Sequence, residues 1–438
     1  MRANIICILY KKSYKKVIGD SVLKVIEAFS GIGSQAKALE NINIDYEIVA
    51  TIEWEIGAMY AYDIIHNGPQ DLRNYRHHTK ESLIEILSKY NLSGDGKEPL
   101  KDRTLLSMNV SQLKSILCSI DRNNNLVDVT SVSAKDLPDT DVLTYSFPCQ
   151  DLSIAGIWHN NVGGIDRDAK NRSTLLWQIE RILKEYVELD RALPKFLLME
   201  NVSNILSNKH IDNFNEWKSF LESIGYVNQV YTLDARNFGV PQSRVRTYMI
   251  SVLAKTEEVN QELQSYFFNN SLENVILDSS EISTINNYLR LDYSIDKYKD
   301  EAIESTPAFT PSRKKIYENN PILATDDVPN LDSYARTVTT KQDRHPNSGI
   351  VEYSKTILTP INSKYRNLTP RECFLLMGFE EEDFDNLIEY NINIGPERKI
   401  LPLSKLVRLA GNSIVVQVLE HIFKQIDDID SRIFNEDY

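Results

Sequence analysis

One cysteine stands directly behind a proline at the end of an apolar run, in "DVLTYSFPCQ". Pro148 fixes its own φ and keeps Phe147 extended, so a strand that ends here presents Cys149 at its C-terminal edge. A thiolate is both a good nucleophile and a good leaving group, which suits covalent catalysis. A lone cysteine is more often a buried structural residue. The flanking proline and the polar Gln150-Asp151 count against that here. A second apolar run, "KFLLMEN", ends in Glu200-Asn201. A carboxylate beside an amide can be a general acid with an orienting partner, or equally a cap for a following helix. A third, "QSRVRTYMI", carries Arg244 and Arg246 two apart at a strand entry, on one face by alternation. Paired guanidiniums grip a carboxylate, a phosphate or a base edge bidentately, although a surface salt-bridge face is the plainer reading.

A second group lies nearer the start. "EAFSGIGSQAKAL" (Glu27 to Leu39) reads as strand, glycine turn and helix, where backbone approaches a ligand closely. Glu53, in "TIEWE", ends the next strand, and Asp128, in "LVDVTS", could end another. An acid at such a place bonds ribose hydroxyls in nucleoside-binding α/β folds. Each acid alone also reads as solvated surface. The turn lacks the full GxGxxG pattern, so pyrophosphate binding is not favoured.

The elements that must position these residues alternate. Near-continuous apolar runs at 22–29, 46–54, 141–147, 195–201 and 247–253 read as strands of a parallel sheet covered on both faces. "STLLWQIERILKEYVEL" reads as an amphipathic helix, with Ser173 its candidate N-cap. Together they predict a doubly wound α/β fold. Regular alternation stops near Ala254 and returns near Thr369, and the polar stretch 60–126 is mostly helical in pattern. The layout is a main domain of residues 1–253 and 367–438 with an insertion at 60–126, and a second, smaller domain at 254–366.

Four widely spaced cysteines without a CxxC pair argue against zinc and against a disulfide framework, and point to a reducing cytosol. No metal and no membrane partner is expected, since no run approaches about 18 uninterrupted apolar residues. The N-terminus reads as an added strand or loose leader rather than a signal peptide. The net charge of −13 argues against nucleic-acid binding by the whole surface, but not by a local basic cleft.

The ordered set "FSGIG", "EW", "VDVT", "FPCQ", "ENV", "QSRVR", "LTPRECFLLMGF" (Leu368 to Phe379) and "GNS" (Gly411 to Ser413) resembles the C5-cytosine DNA methyltransferase family along almost the whole chain. The resemblance implies a mostly parallel, Rossmann-like methyltransferase sheet with a smaller target recognition domain, and S-adenosylmethionine as cofactor. It implies that Phe29 stacks near the adenine, with Gly31, Ile32 and Gly33 leaving room, Glu53 and Trp54 at the ribose side and Asp128 on the adenine amino group. Pro148 and Asn412 would complete that pocket. Cys149 would attack C6 of a flipped-out cytosine, Glu200 would protonate N3, and Arg246, supported by Arg244, would hold the ring carbonyl. Gln150, Asn201 and Gln242 would touch the substrate. The stretch after Gly156, with Gly163 and Gly164, would close over the base.

The variable region would read duplex DNA. From Leu331 to Arg371 there are seven Lys or Arg against three acids, the pattern of a phosphate-facing cleft. Thr337, Thr339, Thr340, Lys341, Gln342 and Arg344 are candidates for contact with DNA. The resemblance further implies a monomeric cytoplasmic enzyme, bacterial or phage-encoded, with a modification role by default, either paired in function with a restriction endonuclease or solitary. The rivals are a tRNA cytosine methyltransferase of the same fold, whose Cys-Phe-Thr signature is missing, and a non-catalytic DNA-binding relative. A cysteine hydrolase fails for want of a recognisable histidine partner.

Overall fold

The computed structural model describes residues 22–148, 152, 165–167, 172–344, 347–353, 364–396 and 398–434. Cys149, Gln150, the glycine-bearing stretch 156–164 and the first twenty residues, all given readings above, lie outside that set.

The main domain is built on β1 (Leu23–Ala28), β2 (Tyr46–Ile52), β3 (Val142–Tyr145), β4 (Phe196–Val202), β5 (Tyr226–Asp234), the short β6 (Gln242–Ser243) and β7 (Val245–Leu253). Six of them form one sheet in the order β2-β1-β3-β4-β7-β5. The first four are parallel neighbours. Side chains alternate between two faces, and each face has its own apolar cluster. Val25, Val142 and Leu198 face one cluster, and Ile26, Leu143 and Leu197 face the other. Burial on both sides is why these runs read as continuously apolar.

Helices cover both faces. α1 (Ser34–Asn41) and α2 (Ile56–Asn67) follow β1 and β2. The insertion supplies α3 (Lys80–Leu87), α4 (Asp102–Ser107) and α5 (Val110–Arg122). Its Leu83, Leu87, Leu113 and Ile116 join the main apolar cluster, so it is built into the core rather than appended to it. α6 (Leu176–Glu188) and α7 (Ile211–Ser223) cover the opposite face.

The structure departs from the sequence reading in three elements. β7 runs antiparallel to both β4 and β5. β5 was not anticipated, because Asn228, Gln229 and Thr232 interrupt its apolar pattern, as an edge strand permits. Ser173 does not cap α6. It lies in a 3-10 turn, Arg172–Leu175, and its hydroxyl donates to the Pro148 carbonyl at 2.9 Å.

Beyond β7 come α8 (Glu257–Asn269), α9 (Asp296–Glu304) and α10 (Pro311–Asn319). Leu263 and Phe267 of α8 sit in the main cluster, and Tyr266 donates to Asp428. A four-stranded sheet follows, built from β8 (Ile322–Thr325), β9 (Val328–Pro329), β11 (Ile350–Glu352) and β12 (Tyr365–Asn367). The short β10 (Ala335–Arg336) leaves that sheet to pair in parallel with β6. The chain returns through α11 (Pro370–Leu376), α12 (Glu381–Glu389), α13 (Leu403–Asn412) and α14 (Val416–Ile429).

Candidate active site

Parallel strands end on one edge of a sheet, and that edge is where open α/β sheets bind ligands. Here it gathers the turn after β1, Glu53 after β2, Phe147-Pro148 after β3 and Glu200 near the end of β4.

At the β1–β2 side the backbone is strained. Six described non-glycine residues have positive φ; four are Asn or Asp, and the other two are Phe29 (57°) and Val127 (66°). A bulky or β-branched residue in that region is an outlier that surrounding structure must enforce, and such strain collects at functional sites. Phe29 donates its N–H to Ile52 O at 2.8 Å. A Cβ on Gly31 would meet open space. Gly33 departs from its expected role, since its Cβ would lie 2.1 Å from Nε2 of His66 and 2.6 Å from the Tyr62 ring. It makes room for the protein, not for a ligand.

Glu53 accepts from Gly31 N at 3.0 Å and from Glu55 N at 2.8 Å. Burial pushes its carboxyl up to about 7 against those two donors. Asn125 ties this acid to Asp128, because its side-chain oxygen accepts from both Glu53 N (3.1 Å) and Val127 N (2.9 Å). Asp128 therefore does not end a strand. It follows α5 by a short linker that bridges to Thr51 at the β2 edge. Its carboxylate takes donors from Asn91, Thr130 N and the Thr130 hydroxyl.

At the β3–β4 side, the carbonyls of the described residues on either side of Cys149 are held. Asn201 donates to Phe147 O at 3.1 Å, Ser173 donates to Pro148 O, and Asn204 donates to Leu152 O at 2.7 Å. Asn201 is 1% exposed and its oxygen accepts from Val202 N, so it positions the turn instead of meeting substrate or capping a helix. Arg246 Nε lies 3.4 Å from Glu200 Oε1. In the β4/β7 ladder Arg246 faces Val202, so it is the diagonal neighbour of Glu200 on one face. The antiparallel direction of β7 makes this possible, since a parallel strand would begin at the far edge. Burial raises the Glu200 pKa, with the Arg246 and then the Arg244 charge pulling it down.

Arg244 has other work. Its guanidinium donates to the carbonyls of Val338 (2.9 Å), Gly411 (3.2 Å) and Ser413 (2.6 Å). Gln242, expected at the substrate, is fully buried and bridges Leu376 O and Val338 N. Thr337 donates to Ser243 O, and Thr339 donates to Lys341 O. Gln342 is buried and turned toward Ser348, whereas Lys341 and Arg344 are exposed. Asn412 is exposed; its neighbour Ser413 closes the C-terminal motif on Ser34, 2.6 Å between hydroxyls.

The basic cleft also needs correction. Arg366 is fully buried and pairs bidentately with Glu372 (2.7 and 2.8 Å). Arg371 is 1% exposed and is held by Glu301, Glu381 and Asp385. Neither can reach a phosphate. Both fasten α11 to the variable region.

A family model for C-5 cytosine-specific DNA methylases matches residues 105–428. The chain is 33% identical over 408 residues to the orphan methyltransferase M.SssI of Spiroplasma monobiae, covering 92% of this chain and 97% of that relative. It is 32% identical over 416 residues to the type II methyltransferase M2.ScrFI of Lactococcus lactis subsp. cremoris, covering 92% and 99%. The chain belongs to the C5-cytosine DNA methyltransferase family. The solved Dnmt2 methyltransferase of S. pombe shares its fold at a TM-score of 0.56 and 20% identity, over 93% of this chain and 99% of that one.

C5-cytosine DNA methyltransferases take their methyl group from S-adenosylmethionine. The residues here fit that group. Glu53 keeps acceptor capacity for a hydroxyl beyond its backbone donors, Gly31 opens to space, and half-buried Phe29 and Trp54 offer apolar surface. For a C5-cytosine DNA methyltransferase, the sequence reading passed over the contacts of Asn125 and Asn91 and gave Ser173 only as a helix cap. Their partners lie 72, 37 and 25 residues away, beyond any local pattern.

Proposed function

We propose that this enzyme methylates C5 of a flipped-out cytosine within a specific duplex sequence, through a covalent bond between Cys149 and C6. Carbon 5 of cytosine is a poor nucleophile. Addition of the Cys149 thiolate at C6, with Glu200 giving a proton to N3, turns the ring into an enamine that is nucleophilic at C5. S-adenosylmethionine, held by Glu53, Trp54 and Asp128, supplies an electrophilic methyl group there. Loss of the C5 proton and expulsion of the thiolate restore the aromatic ring. Arg246 holds Glu200 and the ring carbonyl, and Arg244 acts as a positioning residue. Reaching the base requires flipping, at a cost of a few kcal/mol.

The observation that carries this reading is the Glu200–Arg246 pair, 3.4 Å apart, on the strand whose Asn201 anchors the Phe147-Pro148 turn. The raised pKa of Glu200 suits a group that must deliver a proton. We assign recognition to the variable region 254–366, with its four-stranded sheet and the exposed Lys341 and Arg344 facing DNA. Relatives carry both orphan and type II names. The role proposed is modification by a monomer in a bacterial or phage-infected cytoplasm, alongside a restriction endonuclease.

Duplex DNA with 5-fluorocytosine at the target tests the chemistry, since fluorine cannot leave as a proton does. An adduct that survives denaturation and disappears in Cys149→Ser is expected. No adduct, from protein that binds both DNA and methyl donor, would sink the mechanism. Bisulfite sequencing of DNA from expressing cells would give the recognition site.

A further inference from the structure

Asp128 is 7% exposed, and its carboxylate is nearly saturated. Oδ2 accepts from Asn91 Nδ2 at 2.5 Å and from the Thr130 hydroxyl at 2.8 Å, and Oδ1 accepts from Thr130 N at 2.9 Å. A carboxylate offers about four acceptor positions, so the one left open is on Oδ1. Because the partner is a carboxylate, the Asn91 amide must present its NH₂ group, which fixes its orientation by chemistry.

Asn91 is itself held in register. The adjacent Ser93 is fully buried and pairs with the strand end that carries Glu53. Its N–H donates to Trp54 O at 2.8 Å, and its carbonyl accepts from Ile56 N at 2.9 Å. The turn that follows is pinned from α13, where Lys405 donates to Gly94 O (3.0 Å) and Arg408 donates to Asp95 O (2.6 Å). One short stretch of the insertion is thus tied to the β2 exit, to Asp128 and to the C-terminal helices.

We infer that Asn91 is a positioning residue that sets purine specificity at the cofactor site. It occupies Oδ2 and fixes the Asp128 carboxylate plane, leaving a single Oδ1 acceptor aimed at one exocyclic N–H. The insertion at 60–126 is then a wall of the cofactor pocket. A 6-amino purine satisfies that acceptor. A 6-oxo purine sets oxygen against oxygen and is rejected. This inference rests on the cofactor reading of the site.

Calorimetric titration of the full chain with S-adenosylhomocysteine and with its inosine counterpart tests it. The wild type should prefer the adenosine ligand. Asn91→Leu should weaken that ligand about tenfold, the scale of one hydrogen bond to a charged group. It should bind the inosine ligand nearly unchanged, so the preference narrows by the same factor. If Asn91→Leu does not fold, Asn91→Ser carries the test, because its shorter hydroxyl cannot span to Oδ2 and the same narrowing is expected. An unchanged preference, or equal loss for both ligands, overturns the inference and leaves Asn91 a structural residue. Failure of the wild type to bind either ligand overturns the cofactor reading itself, and the inference with it.

Discussion

At the scale of single residues, the proposed site separates groups assigned to react from groups that hold them. Glu200→Gln should keep binding S-adenosylhomocysteine yet lose about 10²–10⁴ in turnover, the usual worth of general acid catalysis, as single-turnover methyl transfer would measure. Ser173→Ala removes one hydrogen bond to the Pro148 carbonyl. It should lower the methyl-transfer rate several-fold while leaving cofactor affinity alone, which a kcat-against-KM comparison would read. Glu27 gives a prediction in pH. Its carboxyl is fully buried and bonded to Tyr62 and Ala36 N, and burial raises it from 4.5 to about 7. The native state then holds a proton that the unfolded chain releases above pH 4.5, so this contribution is full below that pH and is lost as pH rises toward 7. Melting temperature should fall across that window less steeply in Glu27→Gln than in the wild type. The residues proposed to react stand out in the sequence because Cys149, Glu200 and Arg246 each follow or open an apolar run. Positive φ at Phe29 and Val127 was not, since nothing about a Phe or Val announces a backbone that disfavours it.

At the scale of elements, direction mattered as much as order. The apolar runs gave away five strands, but a buried strand looks the same whichever way it runs. Only pairing shows that β7 is reversed, and the reversal delivers Arg246 to the edge where Glu200 lies. Counting charges likewise gave the sign of the region before α11 but not its exposure. The Pro370-Arg371-Glu372 stretch is a fastening: Glu372 caps its own helix, neutralises buried Arg366, and accepts from Arg290 N at 2.8 Å. Glu372→Ala would leave the Arg366 charge buried and unpaired, and should cost about 3–5 kcal/mol in chemical denaturation. Against that, an exposed pair such as Arg73–Asp71 should be replaceable with little effect.

At the scale of the whole molecule, a protein of net charge −13 must meet DNA through a restricted face. Lys341→Ala and Arg344→Ala, both at exposed positions, should each weaken binding across sequences and reduce the salt dependence of DNA affinity by about one counterion. Titration over a range of salt concentrations would measure it. The contact between Gly411 and the variable region has a further consequence. A Cβ on Gly411 would lie 2.4 to 2.6 Å from the backbone of Thr339 and Thr340, and Arg244 grips Val338 and Ser413 together. Residues 335–340 are therefore stitched to the motifs at Arg244 and Gly411–Ser413, although they lie inside the stretch 254–366 proposed for recognition. A hybrid enzyme made by exchanging that whole stretch between relatives would tear the seam. One whose junctions fall after Thr340 and before Arg366 would carry a new sequence preference on an intact frame.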